Sequence, residues 1–173
     1  MNYMNIFYND ITSGNGFRTS LFVSGCAKNP HCKECWNKET WDFNAGNLFT
    51  NKQKEEILES LKKPFIRGLS ILGGEPFNNL KDGTLIDLIK TVKAKFPNKE
   101  VFVWTGYLFE NWIEDEYGKE ALKYIDMLRD GEFIPELKNI NQYLQGSSNQ
   151  RIIDVQKTLN KGSVILWENA ENL

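Results

Sequence analysis

Cys26, Cys32 and Cys35 are the only cysteines in a chain of 173 residues, and all three lie in the stretch from 26 to 35. An odd, tightly clustered set is no disulfide framework. Thiolates gathered this closely repel one another unless a cation neutralises them, so the pattern points to metal ligation or redox chemistry. The spacing C-x5-C-x2-C lets one loop bring three sulfurs around one metal centre. Two centres compete. With His31 as a fourth ligand the site would be structural zinc, closed and tetrahedral; with three thiolates alone it would hold a [4Fe-4S] cluster with one iron left open. Adjacent His31 and Cys32 are awkward partners on one tetrahedral ion because neighbouring side chains diverge, but spacing alone leaves both readings standing. His31 is the only histidine, which leaves none for a Ser-His-Asp or Cys-His hydrolase elsewhere.

Gly73-Gly74-Glu75-Pro76 is a second signal. Two glycines let the backbone approach a ligand and turn sharply, Glu75 offers a carboxylate to an ammonium group, and Pro76 stiffens the exit. The same residues also read as a plain strand-to-loop turn. Ser13-Gly14-Asn15-Gly16-Phe17-Arg18 is a glycine-rich loop that either approaches an anion or turns, with turning favoured. Trp104-Thr105-Gly106-Tyr107 reads as an adenine-stacking wall or as core aromatics at a strand end. Glu114-Asp115-Glu116 reads as a solvated helix face.

The elements that must position these residues follow from periodicity. Leu21–Val23 is a short buried run ending at Gly25-Cys26, residues 27–35 are a loop, and Trp36 to Phe49 continue irregularly. Thr50 with Gln53 forms a capping box, and Ile57, Leu58 and Leu61 give a helix an apolar stripe up to Pro64. Gly68–Leu72 is a strand running into Gly73, Thr84–Phe96 a helix, and Val101–Trp104 a third strand. Residues 108–122 look helical and Tyr124–Leu128 resembles a fourth strand. Arg151–Gln156 and Ser163–Trp167 are further strands, before a polar, frayed tail at 168–173. Strands alternating with helical patterns indicate α/β architecture with a mainly parallel sheet and right-handed crossovers. In such sheets ligands gather at the carboxyl ends of the strands. The segments at Cys26, Gly73–Glu75 and Thr105–Tyr107 should therefore meet on one face.

Composition bounds the rest. Forty per cent hydrophobic and 25% charged residues over this length describe one soluble globular domain spanning 1–173. A net charge of −2 without a basic stretch disfavours nucleic-acid binding. The longest apolar runs, of about four residues, fall far short of the roughly 18 that cross a bilayer. The start MNYMNIFYND lacks the basic and apolar regions of a secretory signal, so the cytoplasm is the expected compartment.

Taken together, Met1-Asn2-Tyr3, Ser13 to Arg18, Leu21 to Cys26, Cys32-Lys33-Glu34-Cys35-Trp36-Asn37, Thr40-Trp41, Gly73 to Pro76, Trp104 to Tyr107, Asp130-Gly131 and Gly146-Ser147-Ser148-Asn149-Gln150 carry a resemblance. Over roughly residues 1–153, in register, the chain resembles the activating proteins of anaerobic (class III) ribonucleoside-triphosphate reductase, which are radical S-adenosylmethionine enzymes. The resemblance implies an open partial (βα) barrel of the radical S-adenosylmethionine type, and the six strands read above are too few to close an eight-stranded one. It implies a [4Fe-4S] cluster on Cys26, Cys32 and Cys35, with S-adenosylmethionine on the open iron. Gly73, Gly74 and Glu75 would face the methionine ammonium, and Glu34, Cys35 and Trp36 would line the adenosyl side. Reductive cleavage would give a 5′-deoxyadenosyl radical that abstracts hydrogen from a glycine of the large reductase subunit, so no protein acid or base is assigned.

The implied partners are that subunit and an electron donor such as reduced flavodoxin, in the cytoplasm of a bacterium or a phage-infected bacterium. Trp36, Trp41 and Phe43 would be covered on docking. An activase of the pyruvate formate-lyase type and a non-enzymatic Cys3His zinc module are the alternatives. The family usually spaces its first cysteines C-x3-C, where this chain has the five residues AKNPH, and tends to carry Arg where this chain has Gln145, a place Arg151 could take.

Overall fold

The chain, described by a computed structural model over residues 1–168, runs β1 (Asn2–Asp10), β2 (Phe17–Val23), β3 (Asn47–Leu48), α1 (Asn51–Leu61), β4 (Ile66–Gly73), α2 (Thr84–Lys95), β5 (Glu100–Trp104), α3 (Phe109–Glu114), α4 (Glu116–Leu122), β6 (Met127–Asp130), β7 (Arg151–Asp154) and α5 (Val155–Lys161). Of the tail read as frayed, residues 169–173 lie outside the described residues. The strands form one seven-stranded sheet in the order β3-β1-β2-β4-β5-β6-β7. Its centre, β2-β4-β5-β6, is parallel, and both flanks are antiparallel, β3 on β1, β1 on β2 and β7 on β6. The architecture is α/β with a mixed sheet. No helix among the described residues is long and apolar enough to cross a membrane.

Both faces of the parallel centre are covered, which is why its strands read as short continuous apolar runs. One face carries Leu21, Val23, Leu69, Ile71, Val101, Val103 and Leu128 against the stripes of α1 (Ile57, Leu58, Leu61) and α2 (Leu85, Leu88, Ile89, Val92). The other carries Phe102, Met127 and Ile152 beneath Trp104, Tyr143, Leu144 and Trp167. The capping box of α1 forms as read: Thr50 Oγ1 accepts the Lys52 N–H at 3.3 Å and Gln53 Oε1 accepts the Thr50 N–H at 3.1 Å.

Four expectations need correction, and one strand had not been expected. β1, the longest strand, was not legible, because its mixed Asn, Tyr and Asp content lacks the alternation of a half-buried strand. The helical stretch read over 108–122 is broken into two helices, because Asp115 leaves helical geometry (φ −86°, ψ 139°) and its Oδ1 accepts the Gly118 N–H at 2.8 Å, capping α4. The strand read at Tyr124–Leu128 starts three residues later, since the Tyr124 and Ile125 N–H groups still bond back to Ala121 and Leu122. The strand read to Gln156 stops at Asp154, whose carboxylate caps α5 by accepting the Lys157 N–H at 3.0 Å. The stretch read as a strand at Ser163–Trp167 lies along β7 with an isolated bridge between Leu166 and Ile153.

The glycine-rich loop before β2 turns. Arg18, fully buried, donates to Ser70 Oγ at 2.6 Å and Glu100 Oε2 at 3.0 Å and lies 3.7 Å over the Phe102 ring. Ser70 in turn donates to the Ser13 carbonyl at 2.6 Å. The loop's one cation is thus spent on the start of β5, at the end of the sheet opposite the cysteines.

Candidate metal and cofactor site

At the carboxyl ends of β2, β4, β5 and β6 lies a cavity of ≈ 270 Å³. Cys26, Cys32 and Cys35 line it from the loop after β2, and Gly73, Gly74 and Glu75 from the end of β4. Trp104, Thr105 and Gly106 come from β5, and Arg129 from β6. The three signals read from the sequence do meet on one face.

The cysteine loop leaves β2 through Gly25, whose φ of +102° suits glycine and where a Cβ would stand 2.1 Å from the Phe43 ring. The returning chain pins it, with the Gly25 N–H donating to Thr40 O at 2.7 Å and the Cys26 N–H to Trp41 O at 3.0 Å. His31 stacks on Trp41 at 3.9 Å, and its Nε2 lies 3.2 Å from the Cys26 carbonyl oxygen. That ring braces the loop. Within the interval between Cys26 and Cys32, the Ala27 N–H donates to Asn78 Oδ1 at 2.8 Å and Lys28 reaches the Gly106 carbonyl at 3.1 Å. Glu34 is exposed and does not line the cavity. Its left-handed backbone (φ +58°) turns the chain so that the Cys35 N–H meets Cys32 O at 3.2 Å and both thiols face the cavity.

All three thiols are free and half-buried. Burial pushes the Cys26 thiol above its ordinary range, and burial with the Glu132 charge pushes Cys32 up to about 11. Among the described residues no three His, Cys, Asp or Glu side chains converge closely enough for a single ion, whereas a [4Fe-4S] cluster takes each thiolate on a separate iron.

The Gly-Gly-Glu segment ties the end of β4 to the end of β2. The Gly74 N–H donates to Val23 O at 2.8 Å and the Glu75 N–H to Gly25 O at 2.7 Å. A Cβ on Gly74 would stand 2.5 Å from the Gly25 carbonyl oxygen. Glu75 is 2% exposed. Its Oε1 accepts the Phe77 N–H at 3.0 Å and the Thr105 hydroxyl at 2.7 Å, and its Oε2 the Gly106 N–H at 2.8 Å. Burial raises its pKa, and these donors oppose the rise. Thr105 Oγ1 also accepts from Trp112 Nε1 at 3.3 Å and from the Tyr107 N–H at 3.1 Å. The Thr-Gly pair therefore holds a carboxylate. Tyr107 packs on Phe77, while Trp104 lines the cavity and packs near Phe102.

Arg129 was not singled out from the sequence, where the only available signal was a cation at the carboxyl end of a strand. Its Nη1 donates to Gln150 Oε1 at 3.2 Å, while its Nε is buried with no partner. Burial lowers its pKa to about 10 against the charges of Glu75, Cys32 and Asp130. Gln150 Oε1 also accepts the Gly146 N–H at 2.8 Å, and Gln150 Nε2 donates to the Gly131 carbonyl at 2.9 Å. The Asp130-Gly131 and Gly146 to Gln150 motifs are thus one wall. Gln145 donates to the Gln150 carbonyl and lines a different cleft. Arg151 is held by Asp130 and Glu110 and does not line the cavity. Trp36 stands at the mouth, 75% exposed.

Three thiols in one cavity, a floor where a glycine Cβ would clash, and a buried guanidinium N–H without a partner suit a thiolate-bound cluster beside a small ligand carrying ammonium and carboxylate groups. Residues 12–153 match the family model of a 4Fe-4S single cluster domain. The chain is 39% identical over 154 residues to the anaerobic ribonucleoside-triphosphate reductase-activating protein of Haemophilus influenzae, covering 88% of this chain and 97% of that one. It is 38% identical over 152 residues to the protein of that name from Enterobacteria phage T4, covering 88% and 93%. Against the Escherichia coli K12 protein of that name the figure is 35% over 155 residues, covering 87% and 96%. The thiol-lined cavity and matches running through nearly the whole of these relatives lead to one conclusion: the chain belongs to the family of anaerobic ribonucleoside-triphosphate reductase-activating proteins.

Proposed function

We propose that the protein activates an anaerobic ribonucleoside-triphosphate reductase as a radical S-adenosylmethionine activase, with an electron donor such as reduced flavodoxin and the cytoplasm as its setting. The observation that carries this reading is the meeting of Cys26, Cys32 and Cys35 with Gly73, Gly74 and Glu75 in one cavity at the carboxyl ends of parallel strands. A sheet whose outer strands β3 and β7 remain unpaired with each other supports an open partial (βα) barrel of the radical S-adenosylmethionine type.

Cys26, Cys32 and Cys35 would hold a [4Fe-4S] cluster, which would supply one electron to S-adenosylmethionine; breaking its C–S bond would give methionine and a 5′-deoxyadenosyl radical, and that radical would take a hydrogen atom from a glycine Cα of the reductase, giving 5′-deoxyadenosine and a glycyl radical. The chain's own residues bind and orient. Cys26, Cys32 and Cys35 supply the thiolates. Gly73 and Gly74 let a ligand meet bare backbone. Glu75 Oε1 is filled by two donors, but Oε2 has one and keeps capacity for a ligand ammonium. Arg129 Nε offers the missing partner for a ligand carboxylate. Trp36 covers the adenosyl side at the mouth, and Glu34 acts through its backbone turn.

The test is to mix the reduced, cluster-loaded protein with S-adenosylmethionine and the large reductase subunit and record the electron paramagnetic resonance spectrum. A glycyl-type doublet on the reductase is expected. Cofactor cleavage without a protein radical would mean that another partner carries the target hydrogen.

A further inference from the structure

The loop between Cys26 and Cys32 carries a cation beside the thiols. Lys28 lies in the five-residue interval between Cys26 and Cys32, its side chain is 15% exposed, and it lines the cavity together with the three thiols. Its Nζ donates to the Gly106 carbonyl at 3.1 Å, lies 3.4 Å from Glu132 Oε2 and stands 4.7 Å from the centre of the Tyr107 ring. One ammonium therefore ties the cysteine loop to the end of β5 and to the segment after β6. Gly106 serves two clamps, its N–H on Glu75 and its carbonyl on Lys28.

A largely buried ammonium that meets a carbonyl, a π face and one carboxylate is held in place. Its direct carboxylate partner, Glu132, is 43% exposed and screened by solvent, while the buried Glu75 carboxylate lies on the other side of Gly106 and also feels the Lys28 charge. The ammonium itself faces the cavity that the three thiols line.

We propose that Lys28 is a positioning residue whose fixed charge holds the cysteine loop and favours the reduced state of a cluster bound by Cys26, Cys32 and Cys35. The inference rests on the cluster assignment of the proposed function. A cluster on three thiolates is anionic and gains a further negative charge on reduction, so a cation held near it stabilises the reduced form more than the oxidised one.

The experiment compares wild type, Lys28→Met and Lys28→Arg after anaerobic reconstitution, reading iron and sulfide content and then the cluster midpoint potential by a titration followed by electron paramagnetic resonance. Lys28→Met, which keeps the stem and loses the charge, is expected to load normally and become harder to reduce by about tenfold, 59 mV for one electron, while Lys28→Arg stays near wild type. Equal potentials in wild type and Lys28→Met overturn the proposal. If Lys28→Met does not load, Lys28→Arg decides: loading with a wild-type potential supports a role for charge, and failure overturns it. A wild-type protein that takes up no iron or sulfide overturns the cluster assignment first, and the proposal with it, which separates the two failures.

Discussion

At the cavity each polar side chain is either already spent on its neighbours or left free for a ligand, and variants should separate the two. Replacing Cys26, Cys32 or Cys35 by Ala should abolish iron and sulfide loading. His31→Ala should leave loading intact, because the ring is engaged by Trp41 and the Cys26 carbonyl. Metal analysis after anaerobic reconstitution checks both, and loss of loading in the His31 variant would put that ring among the ligands. Glu75→Gln places an NH2 group against backbone or hydroxyl donors. It should cost about 1–3 kcal/mol of stability and weaken S-adenosylmethionine binding by about 1.5–3 kcal/mol. Denaturant melts beside equilibrium binding read the two effects, and unchanged affinity would reduce Glu75 to a structural clamp. Arg129→Met should change stability little, removing a buried N–H without a partner together with one hydrogen bond to Gln150, so the melting temperature should stay within a few degrees while S-adenosylmethionine affinity falls about tenfold or more.

Among the elements, the site depends on where two strand ends are tied together. Gly74→Ala would drive a Cβ to 2.5 Å from the Gly25 carbonyl oxygen, and since both partners are backbone there is no side chain to yield. A loss of about 1–3 kcal/mol is expected with poorer cluster loading, because the same contact seats the start of the cysteine loop. Thermal melts and iron content of the variant check this. The break between α3 and α4 is a separate device. Asp115→Ala should cost about 0.5–2 kcal/mol through the lost cap while sparing the site, since Asp115 does not line the cavity.

The molecule as a whole leaves its cavity open at a mouth where Trp36 stands 75% exposed. Of the three aromatics expected to be covered on docking, Trp41 is already stacked on His31 and Phe43 packs over Gly25, although Phe43 remains 43% exposed. Trp36 is therefore the residue whose loss should matter for a partner. Trp36→Ala should weaken binding to the large reductase subunit by about 2 kcal/mol, the scale of a buried aromatic anchor, without changing iron content. Calorimetry with the cluster-loaded protein measures it, and unchanged affinity would remove the mouth from the docking surface.

What the chain determines by itself is local. The cysteine spacing, the Thr50–Gln53 cap, the stripes of α1 and α2 and the apolar runs of the parallel strands act through neighbours in sequence, and each was legible there. The fall of Cys26, Gly73 and Thr105 at successive strand ends also followed, because parallel strands point their carboxyl ends the same way. Tertiary structure decided the rest. β1 is a strand because β2 and β3 pair with it, Glu75 is a clamp because Thr105 and Gly106 arrive from another strand, and Arg129 is buried because the Gly146 to Gln150 wall closes over it. These are hydrogen bonds and desolvation between segments tens of residues apart, and no local pattern of apolar and polar residues encodes which distant group will supply the partner or exclude the water.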